Sequence, residues 1–141
     1  SKYKNRRERN MHGLLLVALG GAAGALSRFT LANLTYKLTG LGFPWGTICV
    51  NLIGCFLIGI MWGIFENFEI NTHVYSKMFI FAGFLGAFTT FSTFALESSN
   101  LLKSSQFLLF VSNILISNIL GILLVFTGIN TAKLITSVFI K

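Results

Sequence analysis

Catalytic equipment is scarce in this chain. Its 141 residues hold two histidines, two cysteines, four acids and one proline. His12 and His73 fall at the borders of apolar runs, no Ser-His-acid or Cys-His set can be assembled inside those runs, and neither a phosphate loop nor a carboxylate pair occurs. An enzyme is not expected. Cys49 and Cys55 stand six apart, which is neither a CxxC nor a metal-ligand pattern and puts them on different sides of a helix, so they read as small apolar residues. Charge is missing from long stretches too. Residues 13–27, 43–65, 78–96 and 107–128 contain no Asp, Glu, Lys or Arg, whereas a soluble helix of such length would carry a charged face. Four membrane spans follow. A transmembrane barrel would need at least about eight alternating segments of roughly 10 residues, and these runs do not alternate.

What charge there is lies mostly at one end. The formal net charge is +7, and Lys2, Lys4, Arg6, Arg7 and Arg9 all precede the first span. Beside a membrane helix such a cluster reads as a topology determinant attracted to anionic head groups rather than a nucleic-acid site. The basic start and apolar core also imitate a signal peptide, but the apolar segment is full length and Arg28 closes it in place of a small-residue cleavage pattern.

The chain reads as one membrane domain: a basic extension at 1–11, spans at about 12–33, 44–65, 78–102 and 107–128, and a tail at 129–141. Gly20, Gly21, Gly24 and Ala25 put small residues four apart in span one, which lets another backbone come close. Arg28 near its end must reach the head groups or pair with carbonyls inside the protein. Pro44 suits the first turn of span two, where its missing N–H is not needed. Trp45 and Trp62 are 17 residues apart, or about 25 Å along a helix, and bracket the hydrocarbon. Between them Thr47, Asn51, Gly54 and Cys55 form a small polar stripe, which alone could be a helix-to-helix hydrogen bond. In span four Asn113, Ser117 and Gly121 repeat every four residues, with Ser112 and Asn118 broadening the polar track.

The anomaly is Gly83 to Phe94, GFLGAFTTFSTF. Four hydroxyls, two glycines and four phenylalanines share twelve positions in the middle of a span. Helix propensity falls there without a proline, and non-helical backbone is tolerated in a membrane only where it is buried or lines a polar cavity. A broken helix is expected. Phe88, Phe91 and Phe94 recur at intervals of three, so a continuous helix would align them on one face. The spans otherwise offer neutral donors, Asn51, Ser92, Thr93, Asn113, Ser117 and Asn118, with no acidic ring, and that lining suits an anion or a small polar solute better than a cation. Phenylalanine ring edges are weakly positive and could add to it, although the same rings would serve an ordinary helix interface.

GGAAGALSRF at 20–29, FPWGTICVNLIGCFLIG at 43–59 and GFLGAFTTFSTF at 83–94 together resemble the Fluc fluoride channel family, also called CrcB-like proteins. The resemblance covers three of the four spans in order. It implies an all-α membrane subunit of four helices, the third broken in mid-membrane, pairing as an antiparallel dimer with two fluoride pathways and a structural sodium ion at the interface. It further implies that Asn51 is the pore asparagine and that Phe91 and Phe94 meet fluoride with their ring edges. Ser92 and Thr93 become candidate donors beside the path, and the backbone carbonyls of Gly86 and Thr89 the sodium ligands. Carbonyl oxygens suit a hard cation, and a broken helix frees them. Arg28 matches the arginine closing the first span and is given a structural role. The family's fourth span commonly begins its polar track with a tyrosine where Asn113 stands, and the resemblance puts Asn113 and Ser117 on the fluoride path there.

No internal repeat relates spans one and two to spans three and four, so a second chain must supply any symmetry. With a cytoplasmic amino terminus, eight basic residues lie inside against Arg28, Lys37 and Lys103 outside; without the five amino-terminal charges the count is three against three. A balanced chain inserts both ways and forms an antiparallel homodimer, whereas a biased chain needs an oppositely oriented homologous subunit. Dual topology is the expectation and the heterodimer its alternative, in the cell membrane as a multi-pass protein. A rival class is the small proton-coupled multidrug exporter, which requires a titratable acid in the membrane; only Glu97 comes near. A third is an assembly subunit whose polar residues merely join helices.

Overall fold

The structure, a computed structural model, describes residues 2–67 and 74–139, with side chains described at 10–66 and 74–138. Much of the polar segment expected as a loop between spans two and three lies outside the described residues. Five helical stretches build four membrane-spanning passes. Helix α1 is Lys2–Thr39, α2 is Trp45–Asn67, α3 covers 74–88, α4 is Phe91–Lys103 and α5 covers 107–139. Four segments are long and apolar enough to cross a membrane: Asn10–Thr39, Trp45–Glu66, Val74–Lys103 and Phe107–Val138. The third contains both α3 and α4. The basic extension continues α1 as helix, and the carboxy-terminal tail continues α5 as far as Phe139, where Ala132 and Thr136 are buried.

Helix ends carry their signals. Gly40 stops α1 at φ 81°, and its N–H returns to the Tyr36 carbonyl at 2.9 Å. Pro44 stands just before α2, and its carbonyl accepts the Ile48 N–H at 3.0 Å. Between α4 and α5, Ser105 adopts φ 59°. There the Gln106 N–H reaches Leu101 and the Ser105 N–H reaches Leu102, the paired C-terminal motif that glycine usually serves.

Two seams of small residues set the packing. A Cβ on Gly20 or Gly24 would strike the carbonyls of Phe79 and Phe84, so α1 lies directly against the backbone of α3; Gly21 faces open space. On the other side, α2 and α5 pack along an equally extensive seam, and a Cβ on Gly59 or Gly128 would meet the carbonyls of Val125 and Phe56. Large apolar side chains such as Leu14, Phe29, Leu108 and Phe126 point outward, as in a protein whose solvent is lipid.

The third pass is irregular up to the start of α4. Met78–Leu85 is a π-helical stretch, in which the Gly86 N–H reaches Phe81, five residues back. One α-turn, Gly86–Phe88, follows, and then the helix stops. Thr89 (φ −87°, ψ 160°) and Thr90 (φ −149°, ψ 116°) are extended, and α4 starts afresh at Phe91. The break falls inside the stretch whose composition predicts one. A second π-helical turn, Ile116–Leu120, interrupts α5 at the level of its polar residues.

Candidate functional site at the helix break

An interrupted helix leaves backbone groups without partners, and in a membrane each costs several kcal/mol if left so. Here a side chain takes them. Asn51 on α2 donates through Nδ2 to the Thr90 carbonyl at 3.0 Å and accepts the Thr90 N–H on Oδ1 at 2.8 Å. The carboxamide thus pairs with the peptide as a neighbouring strand would. Both bonds also fix which end of the amide is which, since only this orientation satisfies donor and acceptor together. A continuing helix would give the Thr90 N–H to the Gly86 carbonyl, so the same pairing deprives Gly86 of its helical partner. Gly54, one turn along α2, makes room, because a Cβ there would run into the Thr89 methyl.

Threonines finish both cut ends. On the α3 side the Thr89 N–H and Oγ1 both return to the Leu85 carbonyl, at 3.2 and 3.1 Å. On the α4 side Thr90 Oγ1 accepts the Thr93 N–H at 3.2 Å, an N-cap that opens the new helix, and bonds to Thr93 Oγ1 at 2.9 Å. Arg28 reaches in from α1 and donates through Nη1 to the Thr89 carbonyl at 3.4 Å. Of the two fates open to Arg28 in the sequence, carbonyl pairing is the one present.

Six of the expected site residues share one cavity. Asn51, Gly86, Thr89, Phe91, Phe94 and Ser117 line a space of about 350 Å³ between α2, the break and α5, and among the described residues no carboxylate or basic side chain lines it. Asn118 is at the same wall, brought round beside Ser117 by the π-helical turn. The rings of Phe91 and Phe94 lie 5.7 Å apart, tilted by 45°. Phe88 does not join them. The break turns it away to stack on Phe84 at 4 % exposure, while Phe91 is 78 % exposed, so the threefold spacing that a continuous helix would align is cut between its first and second members.

The remaining candidates lie elsewhere. Thr93 and Arg28 line a separate cavity of about 360 Å³ on the α1 side, with Thr90 forming part of both walls. Ser92 is exposed, its Oγ 3.4 Å from Thr90 Oγ1. Asn113 is 1 % exposed and lies behind the cavity wall, donating to Ser98 Oγ at 2.9 Å.

A second polar cluster was not visible in the sequence. Tyr36 Oη and Thr47 Oγ1 both donate to Glu97 Oε1, at 2.8 and 2.9 Å, joining α1, α2 and α4 at one level. Gly46 admits the Tyr36 ring, since a Cβ would strike it. Glu97 Oε2 is buried with no partner among the described residues. Thr47, at i−4 from Asn51, and Glu97, the one acid near a span, were singled out in the sequence, but separately. Tyr36 and Glu97 are 61 residues apart, and no periodicity links them.

Among the described residues no three His, Cys, Asp or Glu side chains gather to hold a metal, so a cation here would depend on backbone or hydroxyl oxygens. The Gly86 and Thr89 carbonyls fit that requirement: one is released by the Asn51 pairing, and the other keeps a lone pair beside its long bond to Arg28.

The comparisons with known proteins agree with this architecture. A curated relative from Dehalococcoides mccartyi, named fluoride-specific ion channel FluC, is 50 % identical over 120 residues, covering 84 % of this chain and 90 % of its own. A protein of the same name from Nitrosococcus oceani is 43 % identical over 122 residues, covering 86 % and 97 %. Another from Maridesulfovibrio salexigens is 41 % identical over 127 residues, covering 90 % and 100 %. The family profile described as CrcB-like protein, Camphor Resistance (CrcB), matches residues 15–129. On that match and those identities, the chain belongs to the CrcB-like family.

Proposed function

We propose that this chain is a subunit of a fluoride-selective channel that lets fluoride leave the cytoplasm passively, as the names of its relatives suggest. The observation that carries the reading is the charge-free cavity at the helix break, where an amide, a serine hydroxyl and two phenylalanine rings converge. A small anion needs donors in place of its water, and a neutral lining supplies them without a cation that would hold the ion fast. Asn51 still has one Nδ2 hydrogen after serving Thr90, and Ser117 carries a hydroxyl. Phe91 and Phe94 add ring edges, the positive part of the aromatic quadrupole. Thr93, on the other side of the break, would serve the ion before or after the cavity, and Ser92 remains a candidate donor at its rim.

The cavity of one chain is open on the side where Phe91 is exposed, which supports a second subunit closing it. An antiparallel homodimer is the simplest assembly, and a pair with a homologous subunit the alternative. At such an interface the Gly86 and Thr89 carbonyls would hold a structural sodium ion, which would supply positive charge that fixes the two breaks against each other. Arg28 would then share the Thr89 carbonyl and steady it. The opposed proton-coupled exporter finds little support, because Glu97 is tied by Tyr36 and Thr47 and does not line the cavity at the break.

Fluoride efflux from liposomes containing the purified chain, read with a fluoride electrode and with chloride as the control ion, tests the reading. Fluoride release without chloride release is expected. A monodisperse chain that releases neither ion overturns the homodimer, and release of both overturns selectivity. Phe91→Ile and Phe94→Ile should each reduce fluoride flux by up to about tenfold, a loss of transition-state stabilisation of roughly one aromatic contact. The dimer should survive both changes, and unchanged flux would sink the ring-edge role.

A further inference from the structure

The buried amide of Asn113 has no access to the cavity, yet its bonds run toward it. Ser98 Oγ donates to the Phe94 carbonyl at 2.7 Å, so the lone pairs of that oxygen are left to accept. Asn113 Nδ2 fills one, at 2.9 Å. With the NH₂ end of the amide so committed, Oδ1 must face the other way, and it meets the Ser117 hydroxyl at 3.4 Å. The chain of bonds therefore has one direction throughout, from Ser117 through Asn113 and Ser98 to the backbone of Phe94. Its two ends, Phe94 and Ser117, both line the cavity at the break; its middle does not.

The unequal lengths matter. The two inner bonds are short and rigid, while the outermost is at the limit of a hydrogen bond and cheap to exchange. The Ser117 hydroxyl sits in the π-helical turn, where its proton has Asn113 Oδ1 on one side and the cavity on the other. We propose that Ser98 and Asn113 are positioning residues that hold Ser117 as a reversible donor: its proton rests on Asn113 Oδ1 and turns to the anion as the ion arrives. Without an acceptor in reserve, the hydroxyl either points permanently into the cavity and binds the ion too long, or settles on a backbone carbonyl and does not bind it. The role of Asn113 is then orientation of a donor, not contact with fluoride. This rests on the channel reading above.

Efflux measurements on the full chain in liposomes test it, with Ser98→Ala and Asn113→Leu each made in the native background and in Ser117→Ala. In the native background each should lower fluoride flux about fivefold, the worth of one hydrogen bond. Neither should lower it further once Ser117 is already alanine, because both act through that hydroxyl. Ser98→Thr keeps the hydroxyl and should restore the flux. Equal losses in the two backgrounds, or no loss in the native one, overturn the proposal. If Ser98→Ala is not monodisperse, the Asn113→Leu pair decides alone. A native chain that releases no fluoride at all is a different result: it removes the homodimer reading above, on which these measurements rest.

Discussion

The seam between α2 and α5 and the joint between α2 and the helix break use the same helix for opposite purposes. Toward α5, α2 presents Gly59, where a Cβ would meet the Val125 carbonyl, and there packing depends on what the residue lacks. Toward the break it presents Asn51, whose amide takes both polar groups of Thr90. One contact is selective for size and indifferent to chemistry, while the other is selective for chemistry. In lipid, where apolar surface gives no drive for helices to associate, these are the two means left: close backbone approach and exchanged hydrogen bonds.

The comparison can be broken from either side. The largest effect is expected from Asn51→Leu, which keeps the volume but orphans two backbone groups in the membrane, at about 1–3 kcal/mol each. Fluoride flux should vanish, and denaturation in detergent should begin well below the native temperature; retained flux would remove Asn51 from both roles. Next comes Gly128→Val, at roughly 3 kcal/mol, because its side chain meets backbone that cannot give way. Gly128→Ser and Gly128→Ala should cost alike, since size alone counts there, and a milder serine on thermal unfolding would show that polarity matters at this seam after all. Thr90→Ala should cost about 1 kcal/mol through the lost N-cap of α4, seen as a modest fall in melting temperature. Smallest is Ser105→Gly, which relieves a left-handed backbone at a site remote from both contacts. It should stabilise by up to about 1 kcal/mol and leave flux as it was.

Much of this was legible from the residues. Charge-free runs announced four passes, Gly20 and Gly24 announced the close approach of α1, and the crowd of hydroxyls between Gly83 and Phe94 announced the break. What stayed hidden depends on backbone pattern or on distant pairing. A π-helical turn alters the hydrogen-bond ladder without a residue type of its own, so Met78–Leu85 and Ile116–Leu120 left no mark. Asn113 and Ser117 share a face by spacing, but their different depths follow from Ser98, 15 residues earlier on another helix. Phe88 looked like the first of three aligned rings because spacing arguments assume that the helix continues.

The interruption at Thr89 and Thr90 contains no proline. Had a proline made it, the missing N–H would have rendered the kink permanent; instead the Thr90 N–H is intact, and Gly86 still has the carbonyl that a straight helix would use. The bend is therefore a latch and not a weld. Its catch lies on other helices, the Asn51 amide on α2 and the Arg28 guanidinium on α1, so the geometry of the third pass is in part a property of the first two.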